Sequence, residues 1–272
     1  MIEGAVRRVR EAIGGSPIAG AVVLGSGLGG LLDAWVPTCV WSAEDLPGYP
    51  RSGVVGHAGR MAIVRWGEAH GLVFQGRVHF YEGYRRKEVT FGVRLAAALG
   101  ARWVILTNAA GSADPLLAPG SVMVVQDQIR LFVGRGAGQG AVAGPARSGS
   151  PYCEWRAAQA FRALAQEGLR TLRGVLYGCT GPSYETAAEV EMIRRLGGSA
   201  ACMSTVIEAE EAWRLGMDVV AFSLITNWAT GLSGRALEHA EVVAAASRIA
   251  GPMARALDAL ARTWAAEPSP PG

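Results

Sequence analysis

Residues 181–208, GPSYETAAEVEMIRRLGGSAACMSTVIE, place a carboxylate, a methionine and a hydroxyl at the ends of elements, where a chain can present groups for chemistry. Glu185 stands just past a Gly-Pro turn, at the mouth of a helix that ends near Gly197 and Gly198. A short apolar run, 199–203, then meets Ser204 and Thr205. Thr205 with Glu208 three residues on reads as a capping box, which aims the N–H groups of a new helix at whatever lies beside Ser204. Such a helix end favours an anion. As a cap alone, Thr205 and Glu208 read as structural.

Other chemically capable groups lie outside this stretch. Gly25 to Gly30, GSGLGG, follows an apolar strand, matches the dinucleotide pattern G-x-G-x-x-G, and has Glu44 or Asp45 at the distance of a ribose contact. A single match of this kind carries little weight. Its firmer content is a strand-to-helix turn where backbone N–H groups and the Ser26 hydroxyl can approach a phosphate. His57 sits in a turn-rich segment. The run GRVHFYEGY, 76–84, puts Arg77, His79 and Tyr81 at alternate positions, one face of a strand. Alternation is also what an ordinary solvent-facing strand shows. Asn227 ends an apolar run, 218–226, where it is either a satisfied turn residue or a ligand group. His239 falls in the first turns of a long C-terminal helix region.

These groups need a scaffold. With 272 residues, half of them hydrophobic, the chain can bury one large core. About seven apolar strand-like runs alternate with helical patterns, among them a helix at 2–13, strands at 61–66, 72–76, 103–107 and 121–129, a helical stretch at 86–100 and a helix at 152–168. The pattern predicts an α/β fold, a single domain over 1–264 with a central mixed, twisted, largely buried β-sheet flanked by helices, and a disordered tail at 265–272. The run 103–107 is expected to end as a strand at Asn-Ala-Ala-Gly, the carboxyl-end position at which open α/β sheets place ligands. The Gly/Ala-rich loop near 132–151 has no periodicity and is either mobile or a lid. Gly251-Pro252 predicts a break in the last helix.

Composition excludes several classes. The net charge of +3 is small and the basic residues are scattered, so no nucleic-acid face is expected; Lys87 is the only lysine. The four cysteines, Cys39, Cys153, Cys179 and Cys202, are far apart, which argues against a disulfide framework or a zinc site. The N-terminus lacks the order of a signal peptide and no run reaches the length of a membrane span, so no membrane is expected and the expected location is cytoplasmic.

Seven segments in order, GSGLGG, PGYPRSGVVGHAGR, GRVHFYEGY, TNAAGS, GPSYET, CMSTVIEAE and SLITNWATG, closely resemble the trimeric, low-molecular-mass class of purine nucleoside phosphorylases, from about residue 20 to 250. The resemblance implies reversible phosphorolysis of purine nucleosides to free base and (deoxy)ribose 1-phosphate, with no metal and no organic cofactor, phosphate being a co-substrate. It implies a phosphate site of Ser26, His57, Arg77, His79, Ala109 through its backbone, and Ser204. It implies a ribose site of Tyr81, Met203 and His239, and a purine site of Tyr184, Glu185 and Asn227. Asn227, Glu185, His239 and His79 are the expected catalytic set, in a homotrimer serving purine salvage.

The residue chemistry is compatible with these roles. An arginine, two histidines, two hydroxyls and backbone donors suit an anion, with no carboxylate among them to repel it. Methionine packs against a sugar without hydrogen-bonding it, and a tyrosine offers a π surface to a base. Asparagine at 227, where relatives that prefer 6-amino purines resemble one another in having aspartate, points with Glu185 to inosine and guanosine.

Two segments depart from the family. Its usual Phe-Gly-x-Arg-Phe-Pro-like segment, whose phenylalanine reaches a neighbouring subunit's ribose site, is replaced by GQGAVAGPARSGS, which has no aromatic residue. Trp228 stands where lysine is common, and the loop from there to His239 is short. These changes predict a more open sugar pocket and weaker substrate binding. A dinucleotide-dependent oxidoreductase leaves His57, Arg77, Glu185 and Asn227 unexplained, and a pure purine binder needs no phosphate donors. A methylthioadenosine phosphorylase is disfavoured by Asn227 and Glu185.

Overall fold

The structure, a computed structural model, describes residues 2–54, 58–132, 148–233 and 239–267, with the backbone alone for 239–248. The chain runs α1 (Ile2–Ala12), β1 (Ile18–Leu24), a 3-10 helix (Gly29–Ala34), β2 (Cys39–Ser42), β3 (Arg60–Trp66) and β4 (Ala69–Gln75). A 3-10 turn (Phe80–Glu82), α2 (Arg86–Val89), α3 (Phe91–Ala98), β5 (Trp103–Ser112), β6 (Val122–Arg130) and α4 (Glu154–Gln166) follow. The C-terminal part contains β7 (Thr171–Gly178), α5 (Ala187–Arg195), β8 (Ala200–Cys202), α6 (Val206–Arg214), β9 (Asp218–Trp228) and α7 (His239–Ala266).

The α/β expectation holds, with nine strands among the described residues rather than about seven. They form one mixed sheet in the order β2-β3-β4-β1-β5-β8-β7-β6-β9, and β9 also pairs in parallel with β5. Five strands, β5, β8, β7, β6 and β9, therefore close into a ring, while β2, β3, β4 and β1 extend from it as an open sheet. Side chains alternate across the layer as the pleat requires. On β9, Val219, Ala221 and Ile225 join α1, α3 and α6 in one core cluster. Val220, Phe222 and Leu224 join the first 3-10 helix, α4 and α7 in the other. All seven residues of β1 are buried, which is why that run is continuously apolar rather than alternating.

β5 holds the key to the site. Its first half pairs with β1, from Gly20↔Trp103 to Val23↔Leu106, and its far end pairs antiparallel with β8 at Gly111 and Ser112. Between these ladders no described strand pairs with that edge of β5. Because β8 runs back along β5, the residues after β8 return to the unpaired stretch around Asn108 and Ala109. The strand thus continues through Asn-Ala-Ala-Gly instead of ending before it, as β9 continues through Asn227.

Three further expectations are corrected. Residues 76–84 are not a strand: the chain leaves the sheet after Gln75, Gly76 adopts φ 101°, and the His79 N–H folds back onto the Glu82 carboxylate at 2.7 Å to make a 3-10 turn. The helical stretch 86–100 divides at Thr90, whose hydroxyl bonds back to the Arg86 carbonyl at 2.8 Å, a bond that bends helices. α7 passes through Gly251-Pro252 without a break and carries through Ala265 and Ala266. Packing overrides the lost N–H of Pro252, since Met253, Ala256, Leu257 and Leu260 are all buried against the sheet. The loop 133–147 lies outside the described residues.

Candidate active site

A cavity of about 460 Å³ opens where β5 changes partner from β1 to β8. Ser26, Arg77, His79, Tyr81, Ala109, Tyr184, Glu185, Met203, Ser204 and Asn227, every residue of the expected phosphate, ribose and purine sites whose side chain is described, line it. His57 lies outside the described residues, and of His239 only the backbone is described, at the start of α7. The predicted set therefore converges although its shared strand face does not exist.

At one end the guanidinium of Arg77 is buried and held on all sides. Nη1 donates to the Ser204 hydroxyl at 3.0 Å and the Thr205 hydroxyl at 3.1 Å, and Nη2 donates to the carbonyls of Thr107 at 2.7 Å and Val23 at 3.3 Å. Its Nε lies 3.4 Å from the carboxylate of Glu208. This corrects the reading of a carboxylate-free anion site: Glu208 is buried beneath the arginine as its counter-ion, not merely a cap. Burial pushes the Glu208 carboxyl above its usual range, while Arg77 and the Thr205 N–H, bonded to Glu208 at 3.2 Å, oppose this. The hydroxyl of Thr205 also accepts from Asn108 Nδ2 at 3.0 Å. Thr205 holds φ 67°, a conformation that costs a β-branched residue on the order of 1–3 kcal/mol and persists only where its surroundings over-determine it.

The glycines of the first loop serve geometry. A Cβ at Gly25 would come within 2.5 Å of the Thr107 carbonyl oxygen, and the Gly25 N–H donates to the Thr107 hydroxyl at 2.9 Å. Close crossing of β1 and β5 thus explains Gly25 without a dinucleotide, and it leaves Ser26 on the cavity wall.

His79 is fixed by a group that the sequence reading passed over. Glu82 Oε1 accepts from the His79 N–H and lies 3.0 Å from its ring Nδ1, while Oε2 takes the Gly53 N–H at 2.8 Å and the Ser52 hydroxyl at 3.1 Å. Burial works against the charge on Glu82, yet the Gly53 N–H and His79 outweigh it and hold the carboxyl below its usual value. The His79 and Tyr81 rings stack at 4.8 Å. Burial, with the nearby Glu82 and Tyr184, pushes the Tyr81 phenol up to about 12, so it remains a hydrogen-bond donor at neutral pH.

The other end is half-buried and carries amide and carboxylate groups. The β5–β9 register slips between Ala110 and Gly111, which pair with Ile225 and Asn227, so Thr226 is the extra residue of a bulge that aims Asn227 inward. Asn227 Nδ2 donates to the Trp228 carbonyl at 2.9 Å, and its Oδ1 accepts from the Thr226 hydroxyl at 2.7 Å. Gly111 opposite packs closely against it, since a Cβ there would stand 3.0 Å from Asn227 Nδ2 and push the amide aside by a few tenths of an ångström. Glu185 follows the Gly181-Pro182 turn; Gly181, at φ 66°, leaves room for Met203 and Tyr81, whose atoms a Cβ would meet at 2.5 and 2.8 Å. Tyr184 is exposed at the rim.

The arrangement can hold an anion against Arg77 and the hydroxyls while a planar, hydrogen-bonding ring meets Glu185 and Asn227. Asn108, Thr205, Glu82 and Glu208 take part although only Thr205 and Glu208 carried a local signal, a cap. Among the described residues no group of three His, Cys, Asp or Glu could hold a metal ion, the four cysteines are free thiols, and no helix is long and apolar enough to cross a membrane.

Comparison with known proteins places this geometry. The phosphorylase superfamily matches residues 21–262. The chain is 38% identical to purine nucleoside phosphorylase 1 of Geobacillus stearothermophilus, covering 97% of each, and 36% identical to purine nucleoside phosphorylase 1 of Bacillus subtilis, over 91% of this chain and 93% of that one. It is 38% identical to the purine nucleoside phosphorylase of Mycobacterium tuberculosis, over 89% and 88%. Among solved structures, a schistosoma purine nucleoside phosphorylase in complex with hypoxanthine superposes with a TM-score of 0.84 at 26% identity, over 95% of both chains. Isoform 2 from Schistosoma mansoni, in complex with cytosine and ribose-1-phosphate, gives 0.86 at 26% identity, over 96% and 95%. Likeness over nearly the full length, with the seven sequence segments meeting in one cavity at the switch of β5, leads to one assignment: the chain belongs to the purine nucleoside phosphorylases of the phosphorylase superfamily and is an enzyme of that kind.

Proposed function

We propose that the enzyme cleaves 6-oxopurine nucleosides, inosine and guanosine and their deoxy forms, with phosphate, giving free base and (deoxy)ribose 1-phosphate for purine salvage. The observation that carries this reading is the pairing of Glu185 and Asn227 at one end of a cavity whose other end is built around Arg77 and Ser204. Phosphate is assigned to Ser26, Arg77, His79, the Ala109 N–H and Ser204, with His57 from outside the described residues. Ribose is assigned to Tyr81, Met203 and His239, and the base to Tyr184, Glu185 and Asn227. The solved relatives hold hypoxanthine in one case and ribose-1-phosphate in another, ligands of the two kinds these assignments need.

The C1′–N9 bond breaks, its electron pair moves onto the purine, and a phosphate oxygen bonds to C1′ from the opposite face. The protein supplies no nucleophile. Its task is to stabilise charge on the departing base. One Asn227 N–H is engaged by Trp228, which leaves the second to donate to N7, and Glu185 accepts the N1–H. A 6-amino purine keeps N7 but lacks that N1–H and presents a bare ring nitrogen there, so the Glu185 contact is lost.

The reaction requires no cofactor in this reading, the assembly is a homotrimer and the location cytoplasmic. Release of hypoxanthine from inosine should depend on added phosphate, adenosine should react poorly, and treatment with a chelator should leave turnover unchanged. Asn227→Asp should shift preference toward adenosine; unchanged selectivity would remove Asn227 from the base site. Light scattering that gives a monomer would overturn the trimer.

A further inference from the structure

Glu185 has one side-chain partner among the described residues, the thiol of Cys179, whose Sγ donates to Oε1 at 2.9 Å. Cys179 is not on the cavity wall. It stands directly after β7, tied to β8 by its own N–H on the Cys202 carbonyl at 2.8 Å, and packs beside Ala113, Val190, Ile193, Ala201 and Ala229 behind the loop that carries Glu185. The backbone next to Glu185 is pinned separately: the Thr186 N–H and hydroxyl bond to Glu189 Oε2 at 2.7 and 2.9 Å, capping α5. The carboxylate is therefore restrained from two directions, by the cap along the chain and by the thiol from behind, and only Oε1 is used.

We infer that Cys179 is a positioning residue for base recognition: its S–H anchors one oxygen of Glu185 from outside the cavity and so presents the other to the N1–H of the purine. Burial and the adjacent Glu185 carboxylate push the Cys179 thiol far up, so the proton that makes this bond stays on sulfur throughout the neutral range. A thiolate there would repel Glu185, and an aliphatic side chain would let the carboxylate rotate between cavity and solvent. The inference rests on the assignment of Glu185 to the base.

The test compares Cys179→Ala, Cys179→Ser and Glu185→Gln with the parent enzyme, reading kcat/KM for inosine, KM for phosphate and thermal unfolding. A thiol is a weak donor but its acceptor is charged, so Cys179→Ala should lower kcat/KM for inosine about tenfold. KM for phosphate should stay within twofold. Cys179→Ser keeps a donor and should recover to within about threefold of the parent, which a purely packing role would not allow. Cys179→Ala within twofold of the parent, or Cys179→Ser as impaired as Cys179→Ala, overturns the inference while Glu185→Gln remains impaired. Full inosine turnover in Glu185→Gln would instead overturn the base-site assignment itself.

Discussion

The two ends of the cavity are built on opposite plans. At the Arg77 end the partners come from β1, β5 and the start of α6, all buried except the half-buried Ser204, to which Arg77 reaches 127 residues along the chain. At the Glu185 end the groups are half-buried, sit on a turn and a bulge, and satisfy themselves with close neighbours: Asn227 with residues one position away, Glu185 with Cys179 six positions away. The first end is fixed before any ligand arrives. The second is held by a few local bonds. A doubly charged co-substrate needs a desolvated, preorganised cradle, because a buried charge is costly to create on demand. A family of purines needs an end that can be retuned by changing one or two side chains.

The sharpest way to break this contrast is Arg77→Met, which leaves Glu208 buried beside an apolar side chain. Loss of one partner of a buried pair costs about 3–5 kcal/mol. Phosphorolysis should disappear and denaturant unfolding should show that loss at pH 8. The loss should shrink toward pH 5. The folded Glu208 carboxyl is raised above its unfolded value, so the stability of its protonated form is fully present below the unfolded pKa and is lost as pH rises through the folded one. A destabilisation that does not change with pH would mean that Glu208 is not the charge left behind.

Asn227→Ala tests the other end. On the proposed base assignment it removes a donor to the departing base and should cost about 3 kcal/mol in the transition state, roughly a hundredfold in kcat. Unfolding stability should change far less than in Arg77→Met, because among the described residues the Asn227 side chain bonds to its chain neighbours alone. Equal losses of stability at both ends would erase the contrast.

The smallest effect belongs to Glu82→Gln, at the bridge between the ends. The carboxyl is held below its usual value, so it contributes stability that is present above the unfolded pKa and lost as pH falls through the folded one. The substitution should cost about 1–2 kcal/mol at pH 7 and almost nothing near pH 3, read by urea unfolding. It should also raise KM for phosphate through a less firmly oriented His79. An unchanged KM would reduce Glu82 to a loop tether.

Part of the site was legible from local signatures, a glycine turn at Gly25, a Gly-Pro turn before Glu185 and a capping pair at Thr205 and Glu208, and the rest, Tyr184 and Ala109 among it, only from the resemblance of ordered segments to a family. Their conformations were less legible. Alternation at 77, 79 and 81 read as a strand, yet the carboxylate of Glu82 turned the chain, and nothing in the spacing distinguishes an acceptor that folds back from one that points to solvent. Glu208 read as a cap because a cap needs only its own helix, whereas its role as a counter-ion depends on an arginine from another element.

Hydrophobic periodicity and turn chemistry by themselves determined the α/β class and most of the elements, because these depend on neighbours within a few positions along the chain, whereas the set of cavity-lining residues came from the resemblance of seven segments to a known family. Closure of β5, β8, β7, β6 and β9 into a ring, the unpaired edge of β5 and the bulge at Thr226 belong to the tertiary structure alone. Strand pairing is set by contacts between residues far apart in sequence, and a slip of one residue in that pairing decides whether Asn227 faces the cavity or the core.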